Sequence, residues 1–227
     1  GMYELRAAIS NHVPRYGLNY DPDEEILVTT GASEAVDLAL RALVDPGDAV
    51  AIQSPAYISY GPGVRFSGGE PLPVSTRAEN DFVLTYDDLD RAGADDAEVL
   101  MICYPNNPTG ATASEAELAE IADFAREHDL TVLSDEIYAG LTYEGEHSSI
   151  ATQPGMRERT IVFNGFSKSY AMTGLRLGYA LGPPEAIDAM HRIHQYTMLS
   201  APTTAQHAAL EALRAVHADR SAVRTTY

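Results

Sequence analysis

Apolar residues along this chain fall into short unbroken runs, separated by longer stretches in which they recur every three to four positions. The first pattern predicts strands buried on both faces and the second predicts amphipathic helices. A helix is predicted from residue 4 to about 16, with Leu5, Ala8, Ile9 and Val13 on one side. A β-rich run at 26–30 leads into a turn at Gly31, Ala32 and Ser33, then a helix at 34–43 that the Asp45-Pro46-Gly47-Asp48 breaker ends. Residues 49–52 form the next predicted strand. The stretch after Tyr57 is weakly patterned, before a strand at 71–74 and a short helix at 86–91. The strand at 99–103 runs into a segment holding Pro105, Asn106, Asn107 and Pro108, which must be a loop. Residues 114–128 are the clearest helix, opened by Ser114 with Glu117 three positions on. Strands at 130–133, 160–163 and 177–181 follow, and then helices from 184 to about 196 and from 203 to about 216.

Strands alternating with longer helices predict an α/β fold, a mainly parallel central sheet flanked by helices. In such sheets ligands bind beyond the carboxyl ends of the strands. Four predicted strands here end in chemically useful sequence: Gly31-Ala32-Ser33, the loop through Asn107, Asp135 with Tyr138, and Ser167-Lys168. Parallel strands would bring all four to one edge.

Composition sharpens this picture at one residue. Lys168 is the single lysine in 227 residues, and every other basic side chain apart from histidine is an arginine. Arginine supplies charge, but its guanidinium does not serve as an amine nucleophile, so a retained primary amine suggests Schiff-base chemistry. The formal net charge of −18 disfavours nucleic acid and anionic membrane as partners. Acidic residues spread along the whole chain, together with scarce lysine, suggest a protein adapted to high salt. No apolar run reaches membrane-spanning length, no leader pattern is visible, and the one cysteine, Cys103, lies in an apolar run. These features lead to an expectation of a cytoplasmic protein. No metal-ligand set is predicted.

Three motifs in order carry a family resemblance: Asn-Asn-Pro-Thr-Gly at 106–110, Ser-Asp-Glu-Ile-Tyr at 134–138, and Ser-Lys-Ser-Tyr-Ala-Met-Thr-Gly-Leu-Arg-Leu-Gly-Tyr at 167–179. With them the chain resembles the large domain of the fold-type I pyridoxal phosphate enzymes, within the class I/II aminotransferases, aspartate aminotransferase-like members included. The resemblance implies that residues 1–227 form one cofactor-binding large domain. It implies that Lys168 holds the cofactor aldehyde as an internal aldimine and then carries the proton at the substrate α-carbon. Asp135 matches the carboxylate paired with the pyridinium nitrogen. Asn107 and Tyr138 match the groups that hydrogen-bond the ring oxygen, and Tyr57 matches the aromatic stacked on the ring. Arg176 matches the phosphate clamp, and Ala32 and Ser33 match a phosphate-binding helix start. Ser167 joins the cofactor-binding candidates beside the lysine.

The resemblance further implies pyridoxal 5'-phosphate as cofactor, an amino acid and a 2-oxo acid as substrates, and a homodimer. It departs at Gly165, where many relatives carry a serine that donates to the phosphate, and near Tyr196, where one subgroup places an arginine for a distal carboxylate. An N-terminal arm and a C-terminal small domain are expected to lie outside this sequence. The rival readings are a carbon–sulfur β-lyase on the same scaffold, since the cofactor carbanion can partition to elimination, and a non-catalytic cofactor-binding sensor domain.

Overall fold

The computed structural model describes residues 1–216, and the expected domain limit at Tyr227 lies outside the described residues. Seven strands form one sheet among them: β1 (Ile26–Thr29), β2 (Ala49–Ser54), β3 (Glu70–Ser75), β4 (Val99–Cys103), β5 (Thr131–Asp135), β6 (Thr160–Gly165) and β7 (Gly178–Leu181). Their spatial order is β1-β7-β6-β5-β4-β2-β3. Strands β3, β2, β4, β5 and β6 are mutually parallel, while β7 runs antiparallel to both neighbours, β6 and β1. The predicted mainly parallel α/β architecture is therefore present, with one reversed strand. The link from β6 to β7 carries only a short 3-10 turn at Thr173–Leu175 and no crossover helix, so the chain returns antiparallel.

Helices α2 (Ala32–Leu43), α3 (Tyr60–Phe66) and α6 (Pro184–Thr197) cover one face of the sheet, and α4 (Tyr86–Ala92) and α5 (Glu115–Glu127) cover the other. Helices α1 (Tyr3–His12) and α7 (Thr203–Val216) pack with β1 and β7 at the far edge. Strand β4 shows why its sequence is apolar without alternation: Val99, Met101 and Cys103 join the first core, and Leu100 and Ile102 join the second. In α5, Leu118, Ile121 and Phe124 are fully buried, each contributing about 1.5–3 kcal/mol. The Ser114–Glu117 capping box adds about 1 kcal/mol and sets where that helix begins. Burial fixes the helix on the sheet; the cap fixes its register.

Some boundaries differ from the sequence expectation. Helix α1 ends at His12, and the chain tightens into a 3-10 turn at Val13–Tyr16, where Pro14 supplies no N–H to continue an α-helix. Helix α2 begins at Ala32, so Ala32 and Ser33 belong to its first turn, and Gly31 (φ +78°) precedes them. The weakly patterned stretch contains α3, which Gly61, Pro62 and Gly63 concealed. No helix among the described residues is long and apolar enough to cross a membrane.

Candidate active site

The strand ends do converge. A cavity of about 520 Å³ opens at the carboxyl edge of the sheet, between that edge and the segments leading into α2 and α3. Every residue predicted for the site lines it: Ala32, Ser33 and Tyr57 from the first half of the chain, Asn107, Asp135 and Tyr138 from the middle, and Ser167, Lys168 and Arg176 from the last motif. The reversed strand contributes as well, because β7 starts at this edge and places Arg176 just before it.

Lys168 lies in a tight loop whose conformation is fixed by its own hydrogen bonds. The Met172 N–H donates to the Phe166 carbonyl (3.1 Å), the Ala171 N–H to the Lys168 carbonyl (3.1 Å), and the Thr173 hydroxyl to the Ser167 carbonyl (2.8 Å). Ala171 and Arg176 adopt left-handed backbone at φ +53° and +50°, a conformation costing roughly 1–3 kcal/mol each at non-glycine residues, which this bonding offsets. The Lys168 Nζ lies 5.4 Å from the centroid of the Tyr138 ring, half-buried and without a carboxylate ion-pair partner among the described residues. The Asn107 side-chain amide donates to the Tyr138 hydroxyl at 3.2 Å, so the residues from the second and third strand ends are in direct contact.

Asp135 ends β5 on the cavity floor and is only 7% exposed. Its Oδ1 accepts the Ile137 N–H (3.1 Å) and its Oδ2 accepts the Tyr60 hydroxyl (2.6 Å). Burial, with the neighbouring Glu136 charge, pushes its carboxyl pKa above the ordinary value; these two hydrogen bonds and the Lys168 charge act in the opposite direction. Tyr57, 39% exposed, stands at the cavity wall with its ring set edge-on to that of Tyr60, centroids 5.6 Å apart. Tyr60 escaped the sequence reading because α3 did. Its signal was the Tyr-x-x-Tyr spacing: a turn closed by the Tyr60 N–H on the Tyr57 carbonyl (3.1 Å) brings the two rings together ahead of the helix.

At the other end of the cavity the Arg176 guanidinium donates to the Thr173 carbonyl (3.0 Å) and forms no ion pair with a carboxylate among the described residues. It lies against Gly31, where an added Cβ would fall 2.7 Å from Arg176 Nη2. The first N–H groups of α2, at Ala32 and Ser33, have no acceptor within the helix. Together they make an anion cradle of one guanidinium and a helix start. Gly178 brings β7 onto this cradle, since a Cβ there would lie 2.4 Å from the Ala32 nitrogen. The departure at Gly165 has a similar physical basis: a side chain would begin 2.8 Å from the Gly178 Cα and 2.9 Å from the Leu177 carbonyl oxygen. Behind the cradle, Glu34 accepts the Thr30 N–H and holds His194 Nδ1 at 2.7 Å, tying α6 to the start of α2.

The donor set fits pyridoxal phosphate. A buried carboxylate without a matched cation suits a protonated ring nitrogen, the cradle suits a phosphate, and a lone amine lines the same cavity.

Comparison with known proteins agrees with this geometry. The family described as aminotransferase class I and II matches residues 1–226. The chain is 43% identical over 216 residues to an aspartate aminotransferase of Pyrococcus abyssi, covering 94% of this chain and 56% of that protein. It is 42% identical to the aspartate/prephenate aminotransferase of Thermus thermophilus, covering 98% of this chain and 57% of that protein. Among solved structures, the aspartate aminotransferase of Thermus thermophilus with maleate matches with a TM-score of 0.94 at 42% identity, covering 99% of this chain and 58% of the other. The aromatic aminotransferase of Pyrococcus horikoshii matches with a TM-score of 0.92 at 43% identity, covering 94% and 58%. The chain thus spans little more than half the length of these relatives. On the match over residues 1–226 and a shared fold at these identities, the chain belongs to the class I and II aminotransferase family.

Proposed function

We propose that the protein containing this chain is a pyridoxal phosphate-dependent aminotransferase that moves an amino group between an amino acid and a 2-oxo acid, and that residues 1–227 are its cofactor-binding large domain. The observation that carries the reading is the meeting of Lys168 and the buried Asp135 in one cavity whose far end is an anion cradle. When bound, pyridoxal phosphate supplies an aldehyde that takes up the substrate amine and a ring that withdraws electrons from the bond being broken.

The chain's own residues divide the remaining work. Arg176 and the N–H groups of Ala32 and Ser33 hold the phosphate, with the Ser33 and Ser167 hydroxyls beside them. Asp135, as an anion, holds a proton at the ring nitrogen. Asn107 and Tyr138 orient the ring oxygen, and Tyr57 covers the ring face. Lys168 Nζ would be the amine that holds the aldehyde, and the same amine, when free, would serve as base for the substrate α-proton. An arginine in its place would keep the charge and lose both functions.

Aspartate and aromatic amino acids are the first donors to test, because the similar proteins are named for those substrates. In the full-length protein loaded with cofactor, a donor without any acceptor should convert the aldehyde absorbance to that of the amine form in one turnover, and a 2-oxo acid should restore it. A cofactor spectrum that ignores every amino acid would defeat the enzymatic reading. Pyruvate and ammonia released without an acceptor would turn it toward elimination.

The exposed apolar side chains Ile58, Phe66, Tyr196 and Leu199 support burial against a second copy, and the homodimer is part of the proposal. The charge of −18 supports function at high salt, where counterions screen the self-repulsion, and a cytoplasmic location is part of the proposal. Raising salt to molar levels should then raise the unfolding temperature, and a flat response would remove the salt adaptation from the proposal.

A further inference from the structure

Asp135 is asked to be an anion in a place that disfavours anions. It is buried at the cavity, and Lys168, whose charge favours its anion, is committed to other chemistry in the proposed reaction. Two donors reach the carboxylate. One is the backbone N–H of Ile137, which any residue except proline would supply. The other is the Tyr60 hydroxyl, 2.6 Å from Oδ2, at the first residue of α3 and only 3% exposed. At 2.6 Å it has the short geometry of the strong hydrogen bond that a phenol makes to a carboxylate.

We propose that Tyr60 is a positioning residue for Asp135: its buried phenol holds one carboxylate oxygen, keeping the group ionised and directed at the cavity. The inference rests on the reading of Asp135 as the partner of the ring nitrogen. Several features make Tyr60 suited to the task. Its ring is anchored in the core beside Val64 and Leu40, so the hydroxyl is delivered by a fixed side chain. Burial and the Asp135 charge hold its own pKa far above the ordinary phenol value, so it remains a donor at any working pH. Cys103 sits directly across from Asp135 in the β4–β5 register, and burial pushes that thiol up to about 12. It stays neutral and adds no competing negative charge. The hydroxyl also offsets more of the desolvation of Asp135 than any other single contact. A carboxylate with neither donor would take up a proton in such a site and could no longer hold one at the ring nitrogen.

Tyr60→Phe removes one oxygen and keeps the ring packing, including the edge-on contact that supports Tyr57. In the full-length protein the cofactor dissociation constant, read by fluorescence quenching, should rise about ten- to hundredfold, the range for a hydrogen bond to a charged group. In an Asp135→Asn background the same substitution should add little, because no anion is left to stabilise. Equal effects in both backgrounds, or no effect in either, would overturn the proposal. A direct readout is free of cofactor: the Asp135 carboxyl carbon, followed by NMR in the apo protein, should titrate at higher pH in Tyr60→Phe. If that variant does not fold, 3-fluorotyrosine at position 60, a stronger donor of nearly the same size, should move the titration to lower pH. An unmoved titration in either variant would sink the idea. A wild-type protein that binds no pyridoxal phosphate would refute the proposed function instead, and the apo titration would still decide whether Tyr60 governs Asp135.

Discussion

Gly178→Ala probes the contact on which the anion cradle depends. Gly178 opens β7 and pairs with Thr29 on one side and Gly165 on the other, so it cannot move without disturbing two strand pairings. A Cβ at this position would lie 2.4 Å from the Ala32 nitrogen, 2.6 Å from the Gly31 carbonyl carbon and 3.0 Å from the Ala32 Cα. All three are backbone atoms, so no side chain can rotate away. Restoring ordinary contact distances needs a displacement of about 1 Å, by β7 or by the first turn of α2. Overpacking of this kind costs about 1–3 kcal/mol. For a chain of this length that is a fall in Tm of roughly 2–12 °C by differential scanning fluorimetry. Helix α2 is the element free to yield, because only its first turn is involved while β7 is held by two neighbours. Its N–H groups would then leave the phosphate position, so affinity for pyridoxal phosphate should fall while affinity for pyridoxal, which lacks the phosphate, stays nearly level. A variant with wild-type Tm and wild-type cofactor affinity would refute the claim that β7 and α2 meet here. Equal losses for the two ligands would refute the assignment of this end to the phosphate.

Other regions carry their own tests. Ser149 is fully buried, and its hydroxyl donates to Glu136 Oε1 at 2.6 Å while accepting the Ala151 N–H. Ser149→Ala leaves that N–H without its partner and should cost about 1–3 kcal/mol in chemical denaturation; a change within error would show that the Glu136 network is not structural. Burial acts to raise the Glu34 carboxyl pKa, but hydrogen bonds from His194 and the Thr30 N–H outweigh it and hold the group below its ordinary 4.5. Stability from a depressed carboxyl is complete above the unfolded value and is lost as pH falls through the folded one. Glu34→Gln should therefore flatten that part of the acid side of a Tm-versus-pH profile, and an unchanged slope would contradict the pairing.

Why some of this was legible in sequence and some was not follows from particular residues. Strand β4 and helix α5 announced themselves through apolar patterning, because burial alone decides their placement. Six of the nine candidate site residues lie in three short motifs that fix both chemistry and order, while Ala32, Ser33 and Tyr57 lie outside them; the strand ends bring all nine to one cavity. Helix α3 was hidden: Gly61, Pro62 and Gly63 remove the local helical signal, and its seven residues are held by Tyr60 and Val64 in a core that only the folded chain assembles. Tyr60 was lost with it. The tight approach of Gly165, Gly178 and Ala32 is equally non-local. A glycine in a motif says that something comes close, but only the register of β6, β7 and β1 says what.

The central claim is that Lys168 is the amine that takes the cofactor aldehyde. The direct measurement is borohydride reduction of the full-length protein equilibrated with pyridoxal phosphate, then peptide mass spectrometry, with Lys168→Arg as control. The account predicts a stable phosphopyridoxyl mass on the peptide containing Lys168, no such label in the variant, and transamination lost with it. A label confined to other amines, or transamination that survives Lys168→Arg, would contradict it.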